Sequence, residues 1–405
     1  MNKIKVAVLK ETKTPPDRRT ALAPEQAAEL TKKFPNVELF VQSSDIRAFR
    51  DEEYIEKGIT VTDDISHCDI LIGVKEVEIS QLTSGKTYLF FSHTGKKQSY
   101  NRVLLQQILK KKIRLIDHEY LTDRKGIRLV AFGRWAGVVG TYNSMIAFGL
   151  RNKAYHLKRA VDCRDLKEMT AELEKINLPS LKILITGGGR VANGAIEIMH
   201  AMKIKQISPE DFLTQTYKET VFSQLDPQHY VQREDGNEFN LTHFFESPQM
   251  YKSVFEKFTK VTDIYLACHF WNEKSPVFIS SRDLESPEFN ISIIADISCD
   301  INGPIASTVR ASKIDDPFYG YDCRKHIEVD PFNSGCLTVM AVDNLPGEVP
   351  RDASVDFGKD LINKVFPSLF NTDSEKIIER ATITTSNGKL GKHFQYLKKF
   401  AAGKE

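Results

Sequence analysis

The run Leu181-Lys-Ile-Leu-Ile-Thr-Gly-Gly-Gly-Arg-Val-Ala-Asn-Gly-Ala195 narrows the fold more than anything else in the chain. An apolar stretch enters Gly187-x-Gly189-x-x-Ala192, and apolar residues then recur at helical spacing (Ala195, Ile196, Ile198, Met199, Met202). Strand, tight glycine turn and helix, in that order, open a dinucleotide-binding βαβ unit. Gly187 makes the turn, Gly189 lets the backbone reach a pyrophosphate, and Ala192 permits close packing of helix on sheet. The free N–H groups at the helix start then face the phosphates. Gly188, Arg190 and Val191 share the turn and are candidate cofactor contacts with it. A glycine turn with no ligand is the bland reading, and the strand and helix flanking this one favour a nucleotide.

A unit that prefers NAD ends its second strand in an acid, about 20 residues after the first glycine. That place reads Gln206-Ile207-Ser208, ahead of Pro209-Glu210-Asp211. The acid is missing there, Ser208 stands in its place as a candidate contact, and Lys203 or Lys205 could meet a 2′-phosphate. The cofactor is expected to be NAD or NADP.

Around this unit, short apolar runs alternate with helix-like stretches. Residues 4–9, 37–41, 70–74, 88–91 and 113–116 read as strands, and 24–34, 51–58 and 99–111 as helices, the last with Ser99 as its N-cap. Residues 135–150 are too long an apolar stretch for a strand and read as a connecting helix. Its Gly137 and Gly140 lie on one face and would admit another backbone. Residues 219–260 are polar and aromatic, too long for a βα loop, and fit no place in the alternation. Strand-like runs resume at 264–268 and 291–297, and the tail looks helical. The fold class is α/β: two doubly wound, Rossmann-like domains with an interdomain cleft, the nucleotide-binding one (134–337) inserted into the first (1–133 and 338–405).

Composition adds exclusions. The chain has 405 residues, too many for one ordinary domain, with 41% hydrophobic and 27% charged residues, which suits globular cores. Fifty-six Lys+Arg against 54 Asp+Glu leave a formal charge of +2, which gives no reason to expect a nucleic-acid or membrane partner. The first residues read as a strand and not as a signal peptide. Six scattered cysteines without a CxxC suit reduced thiols and a cytoplasmic protein. On that view the glycosylation triplets at Asn240 and Asn290 are chance matches. No metal site is expected.

A second constellation lies in the first unit. Lys75 and Glu76 follow one strand, and His93, Lys96 and Gln98 follow the next. Polar residues just past the carboxyl ends of parallel strands face the crevice where such sheets bind ligands. Burial and a neighbouring cation lower a lysine's pKa towards neutrality, so Lys75 beside His93 can move protons. Arg19, after the first strand, and Arg128 could hold carboxylates with two parallel hydrogen bonds. Taken singly, each cation is a solvated surface charge and His93 a satisfied buried histidine. Three strand ends converging favour a site.

These residues resemble those of a known family. The stretches Leu71-Ile-Gly-Val-Lys-Glu76, Lys86-Thr-Tyr-Leu-Phe-Phe-Ser-His-Thr94, Arg114-Leu-Ile-Asp-His-Glu-Tyr120, Gly126-Ile-Arg-Leu-Val-Ala-Phe-Gly-Arg-Trp-Ala-Gly137, Asp296-Ile-Ser-Cys-Asp-Ile-Asn-Gly-Pro304 and Ala341-Val-Asp-Asn-Leu-Pro-Gly-Glu-Val-Pro-Arg-Asp-Ala-Ser354 carry the likeness. With them the chain resembles the lysine-forming saccharopine dehydrogenases, and still more the lysine–2-oxoglutarate reductase half of the bifunctional lysine-degrading enzyme. The wider superfamily includes alanine dehydrogenase and the transhydrogenase N-terminal region. The resemblance places the family's acid–base pair on Lys75 and His93. It places substrate contacts on Arg19, Glu76, Lys96, Gln98, Glu119 and Arg128, and cofactor-side residues on Asp296, Ser298 and Asp300. Gly95 and Lys97 depart from the usual neighbours of the histidine.

The resemblance implies reversible conversion of saccharopine to lysine and 2-oxoglutarate, with hydride passing to or from a nicotinamide, by a monomer or homodimer that binds only small molecules. An alanine-type amino-acid dehydrogenase, a related imine reductase and a non-catalytic ligand-binding homologue remain open alternatives.

Overall fold

The structure, a computed structural model, describes residues 3–404. It divides into two units, Met1–Phe132 with Pro350–Glu405, and Gly133–Val349.

In the first unit six strands run parallel: β1 (Ile4–Val8), β2 (Val37–Gln42), β3 (Thr60–Thr62), β4 (Ile70–Lys75), β5 (Thr87–Phe91) and β6 (Arg114–Asp117). They stand in the order β6-β5-β4-β1-β2-β3, and a tail strand, Thr382–Thr384, pairs antiparallel with β6. The tail is therefore not wholly helical, as the sequence suggests, but closes one edge of the sheet. Both faces are buried, because alternate residues of each strand point into different cores. Val6, Val8, Ile72 and Leu89 pack with Leu30 and Phe357, and Ala7, Leu71, Tyr88 and Phe90 pack with Leu104 and Ile108. The helix expected from Ser99 begins with a 3-10 turn, Ser99–Asn101, and becomes α-helical at Arg102–Lys110 with no side-chain cap, so Ser99 does not cap it. The strand order reverses between β1 and β4, and a sheet of this kind opens its binding crevice at the carboxyl ends beside such a reversal.

The second unit carries β7 (Lys182–Thr186), β8 (Lys205–Gln206), β9 (Val221–Leu225), β10 (Val231–Arg233), β11 (Tyr251–Ser253), β12 (Ile264–Ala267), β13 (Ile293–Asp296), β14 (Phe318–Asp322), β15 (Ile327–Val329) and β16 (Leu337–Met340). Eight of them form one sheet, ordered β15-β14-β16-β13-β12-β7-β9-β8, while β10 and β11 make a separate antiparallel ribbon. Strand β14 runs antiparallel to both its neighbours, β16 and β15, and every other pair in this sheet is parallel. Residues 337–340 thus belong to this sheet, pairing with β13 and β14, and the boundary expected at 338 moves to Pro350.

The apolar stretch after Gly133 is one helix, Gly133–Asn152. It crosses the helix Arg190–Ala201 at backbone contact: a Cβ on Gly137 would stand 1.8 Å from the Val191 carbonyl oxygen, and one on Gly194 2.0 Å from that of Arg134. Gly140 instead faces the side chain of Ile297. No helix among the described residues is long and apolar enough to cross a membrane.

Candidate active site and nucleotide cradle

The carboxyl edge of the first unit gathers charged side chains in two clusters. One surrounds Lys75, the last residue of β4. Its amine is pushed below the usual lysine range by burial and then by the charge of Arg19, with Asp17 acting in the opposite sense. Lys13 donates to Glu76 at 2.5 Å. Arg19 is 3% exposed and grips Asp17 with Nε to Oδ1 at 2.9 Å and Nη2 to Oδ2 at 2.5 Å, while its guanidinium lies 4.3 Å over the Phe132 ring. Burial raises the Asp17 carboxyl, but Arg19 outweighs it and holds the group down at about 2. The expectation of Arg19 as an open fork for a substrate carboxylate is therefore altered, since this fork grips Asp17.

The second cluster centres on Glu119, just past β6. Its Oε1 receives Lys96 Nζ at 3.0 Å and Arg128 Nη2 at 2.9 Å. His93 Nδ1 stands 3.6 Å from Oε2, beyond hydrogen-bond length. Burial lifts this carboxyl, and the approach of His93 with the charges of Lys96 and Arg128 brings it down to about 2. Gln98 is exposed, and its Oε1 accepts from the Tyr100 hydroxyl at 2.6 Å. Beneath the two clusters Asp117 is fully buried and accepts from Ser92 and from the Glu119 N–H, which fixes the ends of β5 and β6 together.

In the second unit the glycine turn borders a cavity of about 620 Å³, of the size that takes small ligands. Gly187, Gly188, Gly189, Arg190 and Val191 line it together with Asp226, Ser298 and Asp300. Ala192 is fully buried, as close helix–sheet packing requires. Gly187 has φ +94°, and a Cβ there would lie 2.7 Å from the Cys268 carbonyl oxygen, so the turn needs glycine. Gly189 opens the helix Arg190–Ala201 without a side-chain cap, and nothing stands within 4 Å of where its Cβ would be. Uncapped N–H groups under an open approach fit a pyrophosphate.

Two cofactor-side expectations change. The strand beside β7 is β9, and β8 is a two-residue edge strand beyond it. The second strand of the nucleotide unit thus ends not at Ser208 but at Leu225, and the acid that follows is Asp226, 2.6 Å from a Cβ placed on Gly188. Ser208 caps the helix Pro209–Thr214 by accepting from the Asp211 N–H, outside the cavity wall. Asp296 is fully buried and receives hydrogen bonds from Ser298, Thr308 and the Cys299 N–H, so it holds the loop that presents Ser298 and Asp300. The run Val221-Phe-Ser-Gln-Leu-Asp226, an apolar strand ending in an acid, is the signal that points to Asp226. The puzzling residues 219–260 supply β9, the ribbon and the short helix Leu241–Glu246, whose Leu241, Phe244 and Phe245 wall the same cavity.

The family model of the alanine dehydrogenase/PNT N-terminal domain matches residues 7–139. The chain is 29% identical to the mitochondrial alpha-aminoadipic semialdehyde synthase of Rattus norvegicus, over 96% of this chain and 47% of that protein. It thus spans about half the length of that relative. It is 26% identical to the saccharopine dehydrogenase [NAD(+), L-lysine-forming] of Neurospora crassa, over 85% of this chain and 86% of the other. Among solved structures, an L-alanine dehydrogenase superposes with a TM-score of 0.64 at 14% identity, covering 98% and 99% of the two chains, which establishes a shared fold. Residues 7–139 thus match the alanine dehydrogenase/PNT N-terminal domain, within a chain similar through most of its length to saccharopine dehydrogenases and alpha-aminoadipic semialdehyde synthases.

Proposed function

We propose that the chain is a nicotinamide-dependent oxidoreductase that interconverts saccharopine with L-lysine and 2-oxoglutarate. The observation that carries this is the convergence, at the carboxyl edge of one sheet, of a half-buried lysine with lowered pKa, a histidine and cations suited to carboxylates. The relatives named above support the substrate.

When bound, a nicotinamide supplies the hydride acceptor; the chain's own residues bind, orient and move protons. Loss of hydride from the glutaryl Cα–H and of the proton from the secondary amine gives a C=N bond, which water then attacks. The carbinolamine breaks at C–N, releasing the keto acid and the amine of lysine. Lys75, held towards its neutral form, takes the amine proton, and His93 serves the water addition and the departing amine. Lys96 and Arg128, with side chains 47% and 40% exposed, can leave their shared Glu119 oxygen for a substrate carboxylate. Arg19, gripped by Asp17, adds positive potential.

The proposed cofactor is NAD(H). Asp226 lies where an acid receives the adenosine ribose hydroxyls, and a 2′-phosphate there would meet a like charge. A spectrophotometric assay at 340 nm tests the whole reading, offering saccharopine, lysine with 2-oxoglutarate, or alanine, each with both cofactors. Turnover of saccharopine with NAD well above NADP supports it. Turnover of alanine alone, or none with any substrate, refutes it.

A further inference from the structure

We propose that Glu11 and His118 are positioning residues that hold a β-bulge at Gly73–Val74, and that the bulge turns Lys75 onto the face of the sheet that carries His93. This rests on the reading of Lys75 as the proton-handling lysine. Strands β4 and β5 pair in step from Ile70↔Thr87 to Ile72↔Leu89, and then Lys75 meets Phe91: three residues on β4 match two on β5. In an unbroken strand Lys75 shares the face of Leu71, which packs with Tyr88 and Phe90. One extra residue moves a side chain to the other face. Lys75 therefore joins Ile72, Leu89 and Phe91, and the Phe91 ring stacks on His93, 6.4 Å between centroids at 18°. Without the bulge, lysine and histidine would stand on opposite faces.

A bulge leaves backbone groups without ladder partners. Strand β1 pairs with β4 only to Val8↔Ile72, and Leu9 N–H donates to the Ile72 carbonyl. Beyond that point the Glu11 carboxylate replaces the strand: Oε1 accepts from Val74 N–H at 2.7 Å and Oε2 from Lys75 N–H at 2.8 Å. His118 Nε2 donates to the Gly73 carbonyl at 2.9 Å, which fixes the tautomer, and its ring packs edge-on against Phe91 and Phe357, both at 5.1 Å. Three consecutive residues are thus held by two side chains, Glu11 at 7% exposure and His118 at 0%. Burial lifts the Glu11 carboxyl to about 7, against the Val74 and Lys75 N–H groups that favour its ionised form, and drops the His118 imidazole to about 4, which keeps the ring neutral. Titratable groups buried this deeply cost stability, and the bulge they secure gives them a use.

The test compares the full chain with Glu11→Gln, His118→Phe and His118→Gln. Gln at 11 turns one acceptor into a donor facing an N–H. Phe at 118 keeps the ring without the donor, and Gln keeps a donor without the ring. Three readouts are taken: NADH affinity by fluorescence titration, kcat and KM for saccharopine, and labelling of Lys75 by pyridoxal 5′-phosphate trapped with borohydride. Glu11→Gln and His118→Phe should change the Lys75 labelling rate several-fold and lower kcat about 10–100-fold, as small misplacements of reacting groups do, with KM and NADH affinity little changed. His118→Gln should recover most of both losses. Wild-type labelling in Glu11→Gln and His118→Phe overturns the proposal, as does a His118→Gln chain as impaired as His118→Phe. Should one variant not fold, the others still decide. If the wild-type chain does not turn over saccharopine, the reaction reading fails while the labelling still judges the clamp.

Discussion

Lys75 sits where its ammonium is poorly solvated, and the charge of Arg19 adds to that effect. Lys75→Met keeps the length of the side chain and removes the titrating amine, and His93→Gln keeps hydrogen bonding without proton transfer. Each should lower kcat by about 10²–10⁴-fold. NADH affinity, read by fluorescence, should not change, because neither residue lines the glycine-turn cavity. Wild-type turnover with an unaltered pH profile would remove that residue from the mechanism. Asp17 allows a second test, this time of stability. Its carboxyl lies at about 2 against an ordinary 3.8, so the folded chain favours the ionised form. The stability it contributes is complete above its ordinary pKa and is lost as pH falls through about 2, amounting to about 2 kcal/mol. The melting-temperature gap between wild type and Asp17→Asn should therefore be full at neutral pH and narrow from about pH 4 downwards. A constant gap across that window would point to some other source. The candidacy of Lys75 and His93 is legible in the sequence because each closes or follows an apolar strand, whereas Glu119 enters only through the family resemblance. The face that Lys75 occupies is not legible, because the extra residue of a bulge leaves no trace beyond Gly73. Nor can spacing reveal that Arg19 turns back onto Asp17.

Among the elements, the misplaced acid shows how a short strand misleads a reading by distance along the chain. Lys205–Gln206 lies where a second strand is expected, yet it only extends the sheet beyond β9. A helix and a loop then push the true neighbour of β7 out to residue 221. The aromatic segment that follows looks irregular in sequence because its residues pack in a small ribbon and short helices rather than in a repeating unit. Its consequence is specific. Leu241 and Phe245 are 48% and 55% exposed and stand on the wall of the cavity that Asp226 also lines. With the ribose on Asp226, as proposed, the adenine is the part of the cofactor that this apolar wall of the same cavity would cover. Covering a Phe or Leu side chain is worth about 1.5–3 kcal/mol, so Phe245→Ser or Leu241→Ser should weaken NADH and ADP-ribose binding about tenfold or more. Reduced nicotinamide mononucleotide, which lacks the adenosine half, should bind to variant and wild type alike. Equal losses for all three ligands would place the wall elsewhere along the cofactor.

At the scale of the molecule, the chain leaves its first unit at Phe132 and re-enters it at Pro350, so the second unit is one uninterrupted stretch. That stretch holds its own core, including Leu184, Phe222, Tyr265, Ile294 and Val339, and its long helix Gly133–Asn152 is buried against the helix Arg190–Ala201. Every residue bordering the glycine-turn cavity also lies within it. The first unit is discontinuous, but its tail packs Phe357, Leu361, Phe366 and Ile377 into the core built by β1 and β2. The Phe132 ring, where the chain leaves this unit, stacks at 4.6 Å on Phe357 of the helix that begins at Pro350. A unit with its own core and its own backbone pairing is expected to fold alone. Expressed by itself, the fragment 133–349 should melt cooperatively and bind NADH within about tenfold of the full chain, with no turnover of saccharopine, since Lys75 and His93 are absent. Joining Phe132 to Pro350 through a short glycine linker should give the complementary fragment, folded, with Lys75 still labelled by pyridoxal 5′-phosphate and with no NADH affinity. Calorimetry and fluorescence on the two fragments decide the matter. A 133–349 fragment that stays unfolded, or that folds and ignores NADH while the full chain binds it, would mean that the cradle depends on residues outside its own unit.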